Sequence, residues 1–171
     1  MTRLEPYRGF TLIEALVYIG LFSLLIGGAV VGAFGIFEAV ERGGTITMLQ
    51  DESDFLISKT EWALSGAQAV TAPALGSSGN SLSVVKYDTS FGNPLVVSLS
   101  GANLTLSRAG GTPALLNNTN VQVMSVVFTH AAAAGNGLAP ESVQTVLTLA
   151  ARTPAGSVVT RTATSTVYLR H

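Results

Sequence analysis

The chain has 171 residues, a formal net charge of −1, 47% apolar residues and only 11% charged ones. Without a basic stripe it has no direct nucleic-acid partner, and without cysteine it has no disulfide, thiol nucleophile or thiolate metal site. Its length suits about one domain, and the first third differs visibly from the rest.

Residues 1–9 carry Arg3 and Arg8 against Glu5 and are followed by an apolar run, residues 10–37, whose single charge is Glu14. At about 1.5 Å per residue, this run as a helix exceeds a hydrocarbon core of about 30 Å. The basic residues ahead of it predict a cytoplasmic amino terminus, with the remainder of the chain outside the inner membrane. A secretory signal peptide fits less well, because its apolar core spans only about 7 to 15 residues and ends in a small-x-small cleavage site. A carboxylate inside a membrane helix costs about 2.5–3.5 kcal/mol on insertion scales, so Glu14 reads as an acid kept for a specific partner. The other reading is an acid favoured by the helix dipole and reaching for the interface.

Gly9-Phe10-Thr11-Leu12-Ile13-Glu14-Ala15-Leu16 resembles the prepilin peptidase recognition site of type IV pilins and type II secretion pseudopilins. The resemblance implies that residues 1–9 are a leader cut after Gly9, that Phe10 becomes an N-methylated amino terminus, and that Glu14 pairs with the terminal amine of a neighbouring subunit. Such a pair adds little net energy, whereas leaving one partner alone costs about 3–5 kcal/mol, so it sets register by punishing misplacement. The partners implied are other pilin or pseudopilin subunits, prepilin peptidase and an inner-membrane assembly platform.

Gly28 and Gly32 have the spacing that allows close helix approach in a membrane. No proline occurs between Pro6 and Pro73, whereas major pilins often carry one in this segment, and the difference favours a minor pilin or a pseudopilin. Residues 38–72 read as the amphipathic continuation of one helix from about Thr11 to Val70. Met48, Phe55 and Trp62, with Leu49, Leu56 and Ala63, recur every seven residues as one broad stripe, and Gly43-Gly44 is the expected kink.

Residues 73–171 read as a β-rich domain. Strands are expected at Leu82 to Tyr87, Leu95 to Leu99, Leu104 to Arg108, Val121 to Thr129, Val143 to Ala151 and Val158 to Leu169, separated by Gly, Asn or Pro. In the last of these, Val159, Ala163, Val167 and Leu169 alternate with Thr160, Thr162, Thr164 and Thr166, the pattern of a half-buried antiparallel strand. The small-residue segment Ala131 to Pro140 is the expected subunit contact. The fold class is therefore α+β and pilin-like: a long helix, its first half transmembrane, packed on an antiparallel sheet.

Catalytic chemistry is missing from the pattern. His130 and His171 have no acid nearby in sequence, no serine sits in a nucleophile elbow, and Asp51, Glu52 and Asp54 lack calcium-loop spacing. Past Pro73 only Asp88 and Glu141 are carboxylates, so no metal and no cofactor is expected. Asn103-Leu104-Thr105 and Asn117-Asn118-Thr119 match the glycosylation pattern formally. The domain's size, its tryptophan near the helix end and its closing strand resemble minor pseudopilins of the J type and their minor-pilin relatives, which help initiate or build a filament. The alternatives are a major pilin of the shaft and a membrane-tethered extracytoplasmic binding module.

Overall fold

The computed structural model describes residues 9–133 and 140–169, which form two compact units dividing at Val40 and Glu41. The helix α1, Leu12–Leu64, begins in the first unit and ends in the second.

In the first unit every described residue is exposed, Leu12 at 83% and Leu24 at 76%. This stretch is long and apolar enough to cross a membrane, and none of its apolar window is buried within the chain. Helices that are apolar all round have no water-facing side, and they belong inside lipid or protein.

In the second unit the helix is amphipathic. Thr45, Leu49, Ser53, Leu56, Thr60 and Ala63 are buried, separated by three or four residues, which places them on one face. The three buried hydroxyls are satisfied within the helix: Thr45 donates to the Glu41 carbonyl (3.1 Å), Ser53 to that of Gln50 (2.8 Å) and Thr60 to that of Leu56 (3.0 Å). A polar side chain is thus buried here without an orphaned group. Five of the six expected stripe positions are in place: Leu49, Leu56 and Ala63 are core and Met48 and Trp62 pack against it, but Phe55 is 44% exposed, with the Lys59 ammonium 5.3 Å from its ring centre.

The helix stops six residues short of the expected Val70. Gly66 adopts φ 68° and Ala67–Ala72 is a strand. A left-handed residue just past the last turn ends a helix, and only glycine takes that conformation without strain. The helix runs unbroken through Gly43-Gly44.

The strands are β1 (Ala67–Ala72), β2 (Ser78–Gly79), β3 (Ser81–Lys86), β4 (Leu95–Ser100), β5 (Asn103–Arg108), β6 (Ala114–Leu115), β7 (Gln122–Ala131), β8 (Ser142–Arg152) and β9 (Val158–Tyr168). They form two antiparallel sheets instead of the expected one, ordered β1-β3-β4-β5-β6 and β2-β7-β8-β9. Three pieces, β1, β2 and β6, are absent from the sequence reading; β2 and β6 are two residues long and carry no alternation to read. Leu82 and Val84 on β3, Leu95 and Val97 on β4, Val126 and Phe128 on β7, and Leu147 and Leu149 on β8 join Leu49, Leu56 and Ala63 in one core. A register shift between Val123 and Ser125 changes which parity of β7 is buried, so that Val121, Val123, Val126, Phe128 and His130 all point inward.

The expected contact segment Ala131 to Pro140 falls largely on residues 134–139, outside the described residues. The same holds for residues 1–8 of the leader and for His171.

Candidate processing and assembly site

Gly9, Phe10 and Thr11 precede the helix in non-helical backbone, and Phe10 is 74% exposed. A Cβ built at Gly9 meets nothing within 4 Å. The glycine is therefore not demanded by packing in this unit, and the Gly9–Phe10 peptide bond lies open. The Phe10 ring packs against Tyr18 one side of the helix further on, with centroids 5.8 Å apart.

Thr11 caps the helix. Its Oγ1 accepts from the Glu14 N–H (3.3 Å), and its carbonyl accepts from the Ala15 N–H (3.1 Å). Thr11 and Glu14 thus hold the spacing of a capping box, in which the hydroxyl satisfies one of the orphan donors of the first turn. The sequence reading passed over Thr11, although the Thr-x-x-Glu signal before an apolar run was present. Glu14 sits in the first turn, where the helix dipole favours an acid. Among the described residues no cation lies within ion-pair range of its carboxylate.

Gly28 and Gly32 stand one helical turn apart in the exposed stretch, and a Cβ at either meets nothing within 4 Å. Nothing among the described residues occupies the small-residue face they make.

Two buried polar clusters lie in the second unit. His130, expected as a strand-end residue without an acid, is the penultimate residue of β7 and is 3% exposed. Its Nε2 is 2.7 Å from Glu141 Oε1 and its Nδ1 is 3.0 Å from the Pro73 carbonyl. The acid is supplied by the strand pairing, which sets His130 opposite Val143. Both ring nitrogens are engaged in a closed site, so the cluster joins the β7–β8 end to the segment after β1 and offers no open nucleophile or metal position. Among the described residues no three His, Asp or Glu side chains group as a metal site.

Lys86 is the second cluster. It is 5% exposed, its Nζ donates to the Trp62 carbonyl (2.6 Å), and it stands 4.2 Å from the Trp62 ring centre and 5.0 Å from that of Phe91. Trp62 and Phe91 meet edge to face at 5.5 Å. Burial holds the Lys86 ammonium below its ordinary value of 10.5, and the Asp88 carboxylate opposes the shift. Between the lowered folded value and 10.5 the unfolded chain binds more protons than the folded one, so stability rises with pH across that window. The wild type is expected to gain in denaturation midpoint relative to Lys86→Met as pH climbs towards 10.5; parallel profiles would contradict this.

Two further acids have local roles. Glu52 accepts from the Asn118 N–H (2.6 Å), and Asp88 accepts from the Ser90 N–H (2.9 Å) at the start of a 3-10 turn, Thr89–Phe91. Hydrogen bonding to the Ser90 side chain first, and to its N–H second, holds the Asp88 carboxyl below the usual carboxylate range. Of the two glycosylation patterns, Asn117 is closed: it is 8% exposed, accepting from the Leu104 N–H and donating to the Val121 carbonyl, both at 2.8 Å.

Comparison with known proteins adds one finding at this end of the chain. Residues 6–30 match the family model described as the prokaryotic N-terminal methylation motif. No curated protein and no solved structure matches the chain.

Proposed function

From a chain that is type IV pilin- and pseudopilin-like by its methylation motif, and anchored in a membrane by the apolar helix that contains it, we propose a minor pilin or pseudopilin that helps initiate or build a type IV pilus or a type II secretion pseudopilus. Prepilin peptidase cuts after Gly9 and methylates Phe10. The chain waits in the inner membrane with its amino terminus on the cytoplasmic side and its β domain outside. It then leaves for the filament through the assembly platform.

The observation that carries the reading is the pairing of this motif with an uncompensated acid. Glu14 lies in a stretch where all described residues are exposed and none of them brings a cation into range, which supports a partner outside the described helix for this carboxylate. Cleavage at Gly9 creates an ammonium four residues away from it, and the amine of an adjacent copy supplies the neutralising charge. The open faces at Gly28 and Gly32 support close packing of a neighbouring helix. The proline-free helix supports the minor or pseudopilin branch over the shaft.

The test is the amino terminus of the chain recovered with sheared surface filaments or pseudopili. Mass spectrometry is expected to find N-methylphenylalanine 10 as its first residue. A chain that starts at Met1, or that never leaves the membrane fraction, contradicts the proposal.

A further inference from the structure

In the second unit α1, β5 and the residues around β6 enclose a cleft of about 330 Å³. Its apolar wall is Trp62 from the helix, Leu106 from β5 and Leu116 just past β6. Leu106 is buried, and Trp62 and Leu116 pack partly buried against the core. The turn after β5 builds the rest. Ala109 and Gly110 take left-handed backbone, φ 50° and 71°, and return the chain so that Leu106 pairs with Ala114 and the Leu116 N–H donates to the Leu104 carbonyl (2.8 Å).

The charged groups of the cleft are all cations. Lys59 and Arg108 line it and are exposed, and no Asp or Glu does. Among the described residues neither cation makes an ion pair or donates a side-chain hydrogen bond, and the Trp62 indole N–H also has no acceptor. The Arg108 guanidinium is 5.7 Å from the Trp62 ring centre, and Lys86 adds a positive charge 4.2 Å from the same ring. The chain as a whole has no such excess, with 10 acidic residues against 9 Lys and Arg. Unpaired donors beside an apolar wall, with no anion to meet them, match a ligand that supplies both an anion and an apolar body. A guanidinium is suited to a planar carboxylate, which it takes through two parallel hydrogen bonds.

We propose that this cleft binds a small carboxylate with an aromatic or aliphatic body, the carboxylate held by Arg108 and Lys59 and the body lying against Trp62, Leu106 and Leu116. Its volume is at the small end of ligand pockets, roughly 300–1,000 Å³, which limits the body to the size of one large side chain. Inorganic phosphate fits less well, because it offers nothing to the apolar wall and loses its hydration on entering. The same chemistry is presented by a free aryl or alkyl acid and by the last residue of a peptide. The proposal is independent of the filament reading, since it concerns only the second unit.

The single tryptophan of the chain lines the cleft, so its fluorescence reads occupancy. The full chain, purified in detergent, is titrated with phenylpropionate and in parallel with the uncharged phenylpropionamide. The acid is expected to give a saturable change with a Kd of about 1 mM or lower, and the amide to bind at least about tenfold more weakly. Arg108→Gln and Lys59→Gln, both at exposed positions, are each expected to weaken the acid at least about tenfold and to leave the thermal midpoint nearly unchanged. Should one variant fail to fold, the other variant and the amide decide. A short peptide ending in phenylalanine with a free carboxylate separates the sources: tighter binding than the free acid assigns a chain terminus, weaker binding a small molecule. No saturation by either, an amide that binds as well as the acid, phosphate that competes equally, or unchanged affinity in both variants overturns the proposal.

Discussion

Replacing Glu14 with alanine is expected to leave membrane insertion intact and to cut incorporation into filaments by about two orders of magnitude. Insertion is driven by the apolar stretch from Phe10 to Phe37, and removing its only charge makes that stretch more apolar. Assembly is different, because the variant leaves a neighbour's terminal ammonium without its anion. An uncompensated charge in an apolar layer costs about 3–5 kcal/mol, and the lower figure alone is roughly a hundredfold in an equilibrium. The rival account makes Glu14 the acid of the capping box that Thr11 opens, worth about 0.3–1 kcal/mol in the first turn of the helix. The two accounts separate in Glu14→Gln, which retains the capping geometry and removes the charge. If the ion pair governs assembly, the glutamine variant fails as the alanine one does; if the cap governs, it assembles normally. Counting the chain in sheared filaments against the chain in membranes reads both.

The second large effect comes from Gly9→Leu. A side chain there meets nothing within the unit, so the substitution has no folding cost and acts only on recognition by the peptidase. The chain is expected to keep Met1, stay in the membrane and be absent from filaments. Without cleavage the amine remains nine residues upstream of Phe10, out of reach of any Glu14. A Gly9→Leu chain that is still cut, or that reaches filaments uncut, would contradict this account.

Much of this organisation is legible in the residues themselves. The apolar run with one acid, the glycine before it and the alternation of Val159, Ala163 and Val167 with threonines each follow from a local pattern, and β9 alternates in burial along its whole length. The helix ends at Leu64, short of Val70 and Pro73, because the left-handed Gly66 stops it first. The seven-residue recurrence marks the buried face well, with Leu49, Leu56 and Ala63 in the core and Met48 and Trp62 packed against it, and Phe55 is its one exposed member. Thr11 was legible as a cap and went unread.

Other features have no local signal. His130 meets Glu141 only because β7 and β8 pair, and Lys86 is buried only because Trp62 and Phe91 come together from opposite sides of β3 in the sequence. Local periodicity is legible in a sequence and long-range juxtaposition is not, and the His130 and Lys86 clusters are of the latter kind.

A density map of the assembled fibre, resolved to side chains, tests the central claim most directly. The Glu14 carboxylate of one copy is expected within about 4 Å of the Phe10 nitrogen of the next, the range of an ion pair. A Glu14 side chain facing lipid or water, with every terminal nitrogen beyond that reach, would contradict it.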